Sequence, residues 1–436
     1  MAESEQDDIA IRHVRTGIWV YLILLLAEGS LRKWIFPSLS GPLLLVRDPV
    51  ALWIYYCAFR AGMFPTKVGA ALVWLGALST IFSFLASFSA DMSSPFVTLY
   101  GLRTNFLHVP LIFVVPAAFG EANVRRCGVF LLLIAAPMAV LMAAQYDASP
   151  DDVLNAGVGG GSQIRSVRGK IRPAGTFSYV TGIVAFFSIV MAFFVDGLLR
   201  RGRYPTLCLA GAAVALLIAM SVSGSRSVVL GLGLVLLAGL GSVLLAPWLA
   251  ERVFRLAAVS GLALFVAMST AVFGHGLSTL MDRFAVSGGQ EGVTGRILAS
   301  LATPFETATS VPLIGYGLGV GTMAGAAILV GRPEFLLAED EWSRLLMECG
   351  PILGTIFVVM RLGLALWIFA NCVRSAREHG NVLPLLLFAA VASNIIMGQW
   401  GQATIQGFTS IGAGLCLAAC NIGVAEETPA DDTETE

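Results

Sequence analysis

The sequence predicts an all-α protein, a polytopic transmembrane bundle of about twelve helices with a long outer loop that carries short helices. Three observations predict it. Of 436 residues, 57% are hydrophobic and only 13% are charged, with a mean hydropathy of +0.81, whereas a soluble domain is about 25% charged. Apolar runs of spanning length recur along the chain. Lysine and arginine fall on alternate connections between those runs, the pattern that orients membrane helices.

A span needs about 20 apolar residues at about 1.5 Å each. Runs of that kind lie at 16–36, 43–62, 67–88, 105–120, 126–145, 176–196, 205–222, 227–246, 253–273, 345–370, 383–398 and 404–422. Run 43–62 contains Arg47, Asp48 and Pro49, and run 105–120 is short and contains His108. No small-residue cleavage site follows the first run, which reads as a retained anchor. The chain therefore divides into a tail at 1–15, nine helices over 16–273 with an outer loop at 146–175, a large outer loop at 274–344, three helices over 345–422 and an acidic tail at 423–436. The acidic ends are too polar to pack and read as disordered.

Placing the N-terminus on the cytoplasmic side gives every inner connection at least two positive charges, among them Arg12 and Arg15, Arg60 and Lys67, Arg125 and Arg126, and Arg374 and Arg377. Both termini are then cytoplasmic. The two long loops fall outside, and both are basic against the bias: Arg165, Arg168, Lys170 and Arg172 in one, Arg283, Arg296, Arg332 and Arg344 in the other. Long loops translocate regardless of charge. Arginine predominates here, however, and its planar fork suits phosphate, so an anionic ligand at the outer surface is the functional expectation. A net charge of −1 offers no field toward nucleic acid.

Within these loops several residues stand out. Arg226 sits in a very short turn, Ser223-Gly-Ser-Arg226-Ser227, between two strongly apolar runs, and a charge so close to hydrocarbon is a functional candidate, with snorkelling as the alternative. Residues 296–305 place Ile297, Leu298, Leu301 and Phe305 on one helical face, as in a helix lying on the membrane surface. Glycines at 315, 317, 319 and 321 admit close backbone approach, to a ligand or in a tight crossover. Glu341, Arg344 and Glu348 form a polar stripe at i, i+3 and i+7, open to reading as an ion-pair ladder, while Glu339 precedes the helix and faces the loop. The seven cysteines read as small hydrophobes. The outer loops hold one histidine, His275, and no clustered ligands, so no metal is implied; no phosphate-cradling Gly-x-x-x-x-Gly-Lys motif implies a nucleotide.

Four stretches between about 172 and 354 together resemble the O-antigen ligase and O-antigen polymerase superfamily, polytopic glycosyltransferases that act on lipid-linked glycans at the periplasmic face of the bacterial inner membrane. Arg172-Pro-Ala-Gly-Thr-Phe177 is similar to the family's Arg-x-x-Gly-Thr-Phe. Ser223 to Ser227 resembles its Ser-Arg turn. Gly295-Arg296 followed by Pro312-Leu-Ile-Gly-Tyr-Gly-Leu-Gly319 resembles its Arg…Pro-x-x-Gly-x-Gly stretch. Glu339 to Gly354 resembles its His-Asn-x-Tyr…Glu-x-Gly-x-x-Gly helix start, with Glu339 where the ligases carry histidine and Asp340 where they carry asparagine. The segment Glu28 to Trp34 also looks like a motif, and the sequence offers no mechanism for it.

The resemblance implies a metal-independent, cofactor-free polymerase of O-antigen or exopolysaccharide. Its donor would be an undecaprenyl-diphosphate-linked oligosaccharide and its acceptor a glycan or glycolipid. Arg226 and Arg296 would steady the departing diphosphate and Glu339 would be the general base, the three forming the catalytic set. Arg172, Arg344, Asp340, Tyr316 and Trp342 would hold substrate, the two aromatic residues by stacking on sugar rings. A chain-length regulator or another polysaccharide-assembly protein is the expected protein partner. Transfer of finished polymer to a lipid or other acceptor is the alternative within the family. A transporter or flippase is the alternative outside it, drawing on the intramembrane charges Glu28, Arg47, Asp48 and Arg361.

Overall fold

The computed structural model describes residues 2–88, 94–160, 171–255, 257–258, 261, 303–304 and 306–422. Among them every regular element is a helix. In chain order these are α1 (Ala2–Ser30), α2 (Asp48–Arg60), α3 (Thr66–Ala86), α4 (Pro95–Leu102), α5 (Leu111–Ala118), α6 (Glu121–Asp147), α7 (Val180–Leu199), α8 (Thr206–Val222), α9 (Arg226–Gly241), α10 (Met323–Val330), α11 (Glu341–His379), α12 (Leu383–Met397) and α13 (Ala403–Cys420).

Nine helical stretches among the described residues are long and apolar enough to cross a membrane, α4 and α5 together making one of them, and the apolar helices α8 and α12 are shorter. Each coincides with a run expected from the sequence. The remaining expected run, 253–273, lies mostly outside the described residues, as does the expected surface helix at 296–305.

The helices alternate in direction, and hydrogen bonds between their ends sort into two sets. At the end where α1 begins, Arg15 donates to the Ala118 carbonyl, Arg125 to that of Arg203 and Asn381 to that of Ala419. At the opposite end Lys33 donates to the Gly175 carbonyl, Trp34 to that of Val153 and Thr181 to Gln402. Both ends of the loop at 146–175 lie at this second end, and so does the start of α11, where the second long loop of the sequence reading finishes.

The centre of the bundle is α13, packed on α5, α11 and α12, with α7 between α12 and α9. Small residues permit this closeness: a side-chain carbon on Gly414 would lie 2.7 Å from Val115, as expected where lipid gives no hydrophobic drive and helices associate by close packing. The flanks expose Trp74, Phe84, Leu207 and Leu366, side chains that suit an acyl environment.

Buried charges compensate one another across the second and fourth spans, and the fourth differs from the sequence expectation as a result. Arg47 does not pair with the adjacent Asp48. Its Nε reaches Glu28 at 2.9 Å, its Nη1 donates to the Tyr21 hydroxyl and its Nη2 to the Ala403 carbonyl. Asp48 instead takes a two-pronged bond from Arg103, at 2.7 and 2.9 Å, with His108 Nε2 at 3.2 Å. Tyr21 also shares a hydrogen bond with His108 Nδ1 at 3.0 Å. Arg103 therefore belongs inside the fourth span, which starts at Pro95 rather than near 105. A π-turn at Arg103–Leu107 absorbs the register change, a common adjustment where a helix carries an extra residue.

Candidate functional site

The glycine ladder is a strap threaded between helices. Tyr316 and Gly317 donate from their backbone nitrogens to the carbonyls of Met347 and Glu348, at 2.8 and 3.0 Å. Those carbonyls are free because α11 breaks at Gly350, whose φ is +77° and which precedes Pro351. Leu318 N bonds Ser83 of α3, and Gly321 N bonds the Glu348 carboxylate. Non-helical backbone at this depth is tolerable because protein groups satisfy it. A side-chain carbon on Gly315 would lie 2.5 Å from the Glu348 carbonyl, and one on Gly350 would overlap the Leu313 carbonyl. Of the two uses open to the ladder, the geometry is that of a tight crossover.

The first turns of α11 assign different work to the residues expected there. Asp340 caps the helix, accepting from Ser343 N at 2.9 Å. Trp342 donates its indole N–H to the Ile396 carbonyl. Arg344 is buried and saturated: Nε and Nη2 bond Glu341, Nη1 bonds Glu348 at 2.7 Å and Nη2 also reaches Asn105. Glu341 is shared with Arg361 at 2.7 Å and accepts from Trp400 N. Arg361 in turn covers the last carbonyls of α12, at Asn394, Ile395 and Gly398, the favourable place for a cation on a helix. The polar stripe is an ion-pair ladder, and its guanidiniums are bound within the protein. Tyr316 is half-buried in the strap.

Glu339 stands outside this ladder. It is exposed and lines a narrow cleft with Arg344, Gln399 and Gln402. A chain of amides fixes that cleft: Thr181 donates to Gln402, Gln402 to Gln399, and Gln399 to the Glu339 carbonyl. The cleft shares Met323, Gly401 and Gln402 with a cavity of about 700 Å³ at the same end of the bundle, which Ser178 and Tyr179 also line.

Two of the expected arginines come together. Arg226 is the first residue of α9, after the turn through Gly224 (φ +54°). Arg172 lies close enough to feel its charge: burial first, and Arg226 second, pull the Arg172 guanidinium below the ordinary arginine range. The buried Nε of Arg172 has no hydrogen-bond partner among the described residues. A cation at the first turn of a helix opposes the helix dipole, so Arg226 is not there to stabilise α9. An anion at Arg172 would meet its unused Nε and the field of both guanidiniums. Arg296, with Arg165, Arg168, Lys170, Arg283 and His275, lies outside the described residues; Arg332 pairs with Glu334 at the surface.

The segment Glu28 to Trp34 braces the loop that carries Arg172. Lys33 Nζ donates to the Gly175 carbonyl at 2.6 Å, and Arg32 Nη1 to Ser178 Oγ at 3.0 Å. Gln145 bonds Gly175 through both its nitrogen and its carbonyl. At Gly29 any side-chain carbon would collide with the Thr176 carbonyl. Phe177 then anchors the loop in the core against Phe186 and Phe408. This is the mechanism the sequence did not supply. Sequence reasoning also missed Gln399 and Gln402, although two glutamines between apolar runs were a legible signal.

No family model matches the chain, and no curated protein matches it significantly. Among the described residues no group of three or more His, Cys, Asp or Glu side chains is disposed to hold a metal ion.

Proposed function

We propose that the protein is a membrane glycosyltransferase of the O-antigen polymerase kind, taking an undecaprenyl-diphosphate-linked saccharide as donor at the outer end of the bundle. The observation that carries this reading is the buried Nε of Arg172, which has no hydrogen-bond partner among the described residues, in a guanidinium close enough to Arg226 to feel its charge. That arrangement suits a diphosphate, which carries charge to answer both. The acceptor hydroxyl attacks the anomeric carbon, the bond from that carbon to the diphosphate oxygen breaks, and the sugar inverts. The leaving diphosphate takes the bonding electrons, and Arg172, Arg226 and Arg296 stabilise the charge it gains. Glu339, exposed beside an amide-fixed cleft, takes the acceptor proton. Its place where the ligases carry histidine favours polymerisation over ligation. The charges a transporter would move, Glu28, Arg47, Asp48 and Arg361, are bonded to one another, to neighbouring side chains and to backbone carbonyls, which supports a static site.

The test is a deletion strain complemented with wild type, Arg172→Gln, Arg226→Gln or Glu339→Gln at equal membrane abundance, with surface glycans and lipid-linked intermediates resolved on gels. Loss of one preorganised donor is expected to reduce polymer formation roughly 10²- to 10³-fold, with single lipid-linked units accumulating. Long polymer stranded on its carrier would indicate a ligase. Unchanged glycans in the deletion strain would sink the enzyme reading altogether.

A further inference from the structure

The cavity of about 700 Å³ holds a second feature that glycosyl transfer does not need. One wall is apolar, built from Leu44 and Leu45 and from Ala324, Ala327 and Ile328 of α10. The facing wall carries Arg32, whose side chain is 8% exposed. Arg32 directs Nε to the Ser40 carbonyl and Nη1 to Glu28 and Ser178. Its Nη2 has no acceptor among the described residues, in a side chain that lines the cavity. Around it the charges do not balance. Asp48 is taken up by Arg103, and Glu28 serves both Arg32 and Arg47. Lys33 bonds a backbone carbonyl and the face of Trp34 rather than a carboxylate. One carboxylate therefore answers two guanidiniums behind this wall, which leaves one positive charge beyond it and one cavity-facing nitrogen able to donate.

We infer that this cavity binds a glycerophospholipid with a net negative head group, its phosphate on Arg32 Nη2 and a chain along α10 and Leu44–Leu45. Three features choose the occupant. Ile35, Phe36, Leu39, Ile328 and Val330 are exposed on the segments that frame the cavity, so the opening meets the bilayer rather than water. A free phosphate would leave the apolar wall uncovered, whereas an acyl chain covers it. One unused guanidinium nitrogen and one positive charge beyond Glu28 match the single charge of a phosphodiester. Basic pockets between membrane helices hold lipid head groups on the same grounds. Ser178, Tyr100 and Gln402 line the same space and can donate to the remaining phosphate oxygens. The inference stands independently of glycosyl transfer.

The experiment uses the full chain, delipidated in neutral detergent, and follows thermal unfolding as lipid is added. Phosphatidylglycerol is expected to raise the Tm saturably. Phosphatidylcholine with the same chains, and inorganic phosphate, are expected to leave it unchanged. Arg32→Gln should weaken the phosphatidylglycerol response about tenfold or more, the weight of one hydrogen bond to a charged group. Ala327→Trp should weaken it as much by filling the cavity without touching charge, and it carries the test if Arg32→Gln fails to fold. Equal responses to both lipids, a response to inorganic phosphate, a stronger response to a polyprenyl phosphate, or undiminished binding in Ala327→Trp each overturn the assignment. The readout is binding, so inactive glycan transfer leaves it untouched.

Discussion

Glu339 and Glu341 are two residues apart and have opposite surroundings, which separates chemistry from stability at this helix start. Glu341 is fully buried and neutralises Arg344 and Arg361 together. Removing its charge leaves two guanidiniums under-compensated, a change that costs about 3–5 kcal/mol when a buried pair is broken. Glu341→Gln is therefore expected to lower membrane abundance and the Tm of the purified protein substantially. Glu339 is exposed, and Glu339→Gln is expected to leave both unchanged while abolishing transfer. A stable Glu341→Gln protein would show that the ladder does not hold the fold. The stripe itself was legible, because residues 341, 344 and 348 share a helix face by spacing alone. Arg361, Asn105 and Trp400 were not, since nothing local in the sequence couples positions so far apart in the chain. Asp340 illustrates a different limit: capping and ligand binding ask for the same side chain, and only the bond to Ser343 N distinguishes them.

At the scale of elements, the strap and the break in α11 are one device. The strap needs acceptors inside the bundle, and the helix supplies them only by unwinding at Gly350. Gly350→Ala places a side chain at φ +77° against the Leu313 carbonyl. Such a strained conformation costs about 1–3 kcal/mol before any displacement of the strap. Gly350→Ala is expected to reduce Tm by several degrees. Gly233→Ala in α9, where a new side-chain carbon meets no other atom within 4 Å, is expected to be neutral or mildly stabilising. Equal stability of the two variants in thermal unfolding would mean the strap is not packed as described. The alternating glycines made this segment visible in the sequence, but their partners lie on α3, α4 and α11, so the route between helices was not. The fourth span shows the reverse case. Hydropathy alone placed Arg103 in a connection because it counts each charge singly, and Asp48 on another helix is what makes the charge compatible with burial.

For the whole molecule, the run of apolar segments was sufficient to locate each described span, the fourth with a late start, and the distribution of arginine and lysine supplies an expectation of sidedness. Both follow from the bilayer as solvent rather than from any particular packing. The same reasoning makes a claim about sidedness that can be measured. Alternating helices put Val153, in the loop after α6, at one end, and Arg201, in the loop after α7, at the other; both positions are exposed. Arg201 belongs to a cluster in which Arg200 and Arg203 pair with Asp196, and positive charge of this density in a short loop is expected on the cytoplasmic side. In a chain whose seven cysteines are replaced, Val153→Cys is expected to react with a membrane-impermeant maleimide in intact spheroplasts. Arg201→Cys is expected to react only after the membrane is permeabilised. The reverse pattern would put the Arg172–Arg226 pair and the Glu339 cleft on the cytoplasmic side, where a nucleotide-linked sugar donor would be available and the lipid-linked donor would lose its rationale. Reaction of both positions from outside would mean that no span, or an even number of spans, separates them, and the end-to-end bonds joining Lys33 to Gly175 and Arg200 to Asn381 could not then lie on opposite membrane faces.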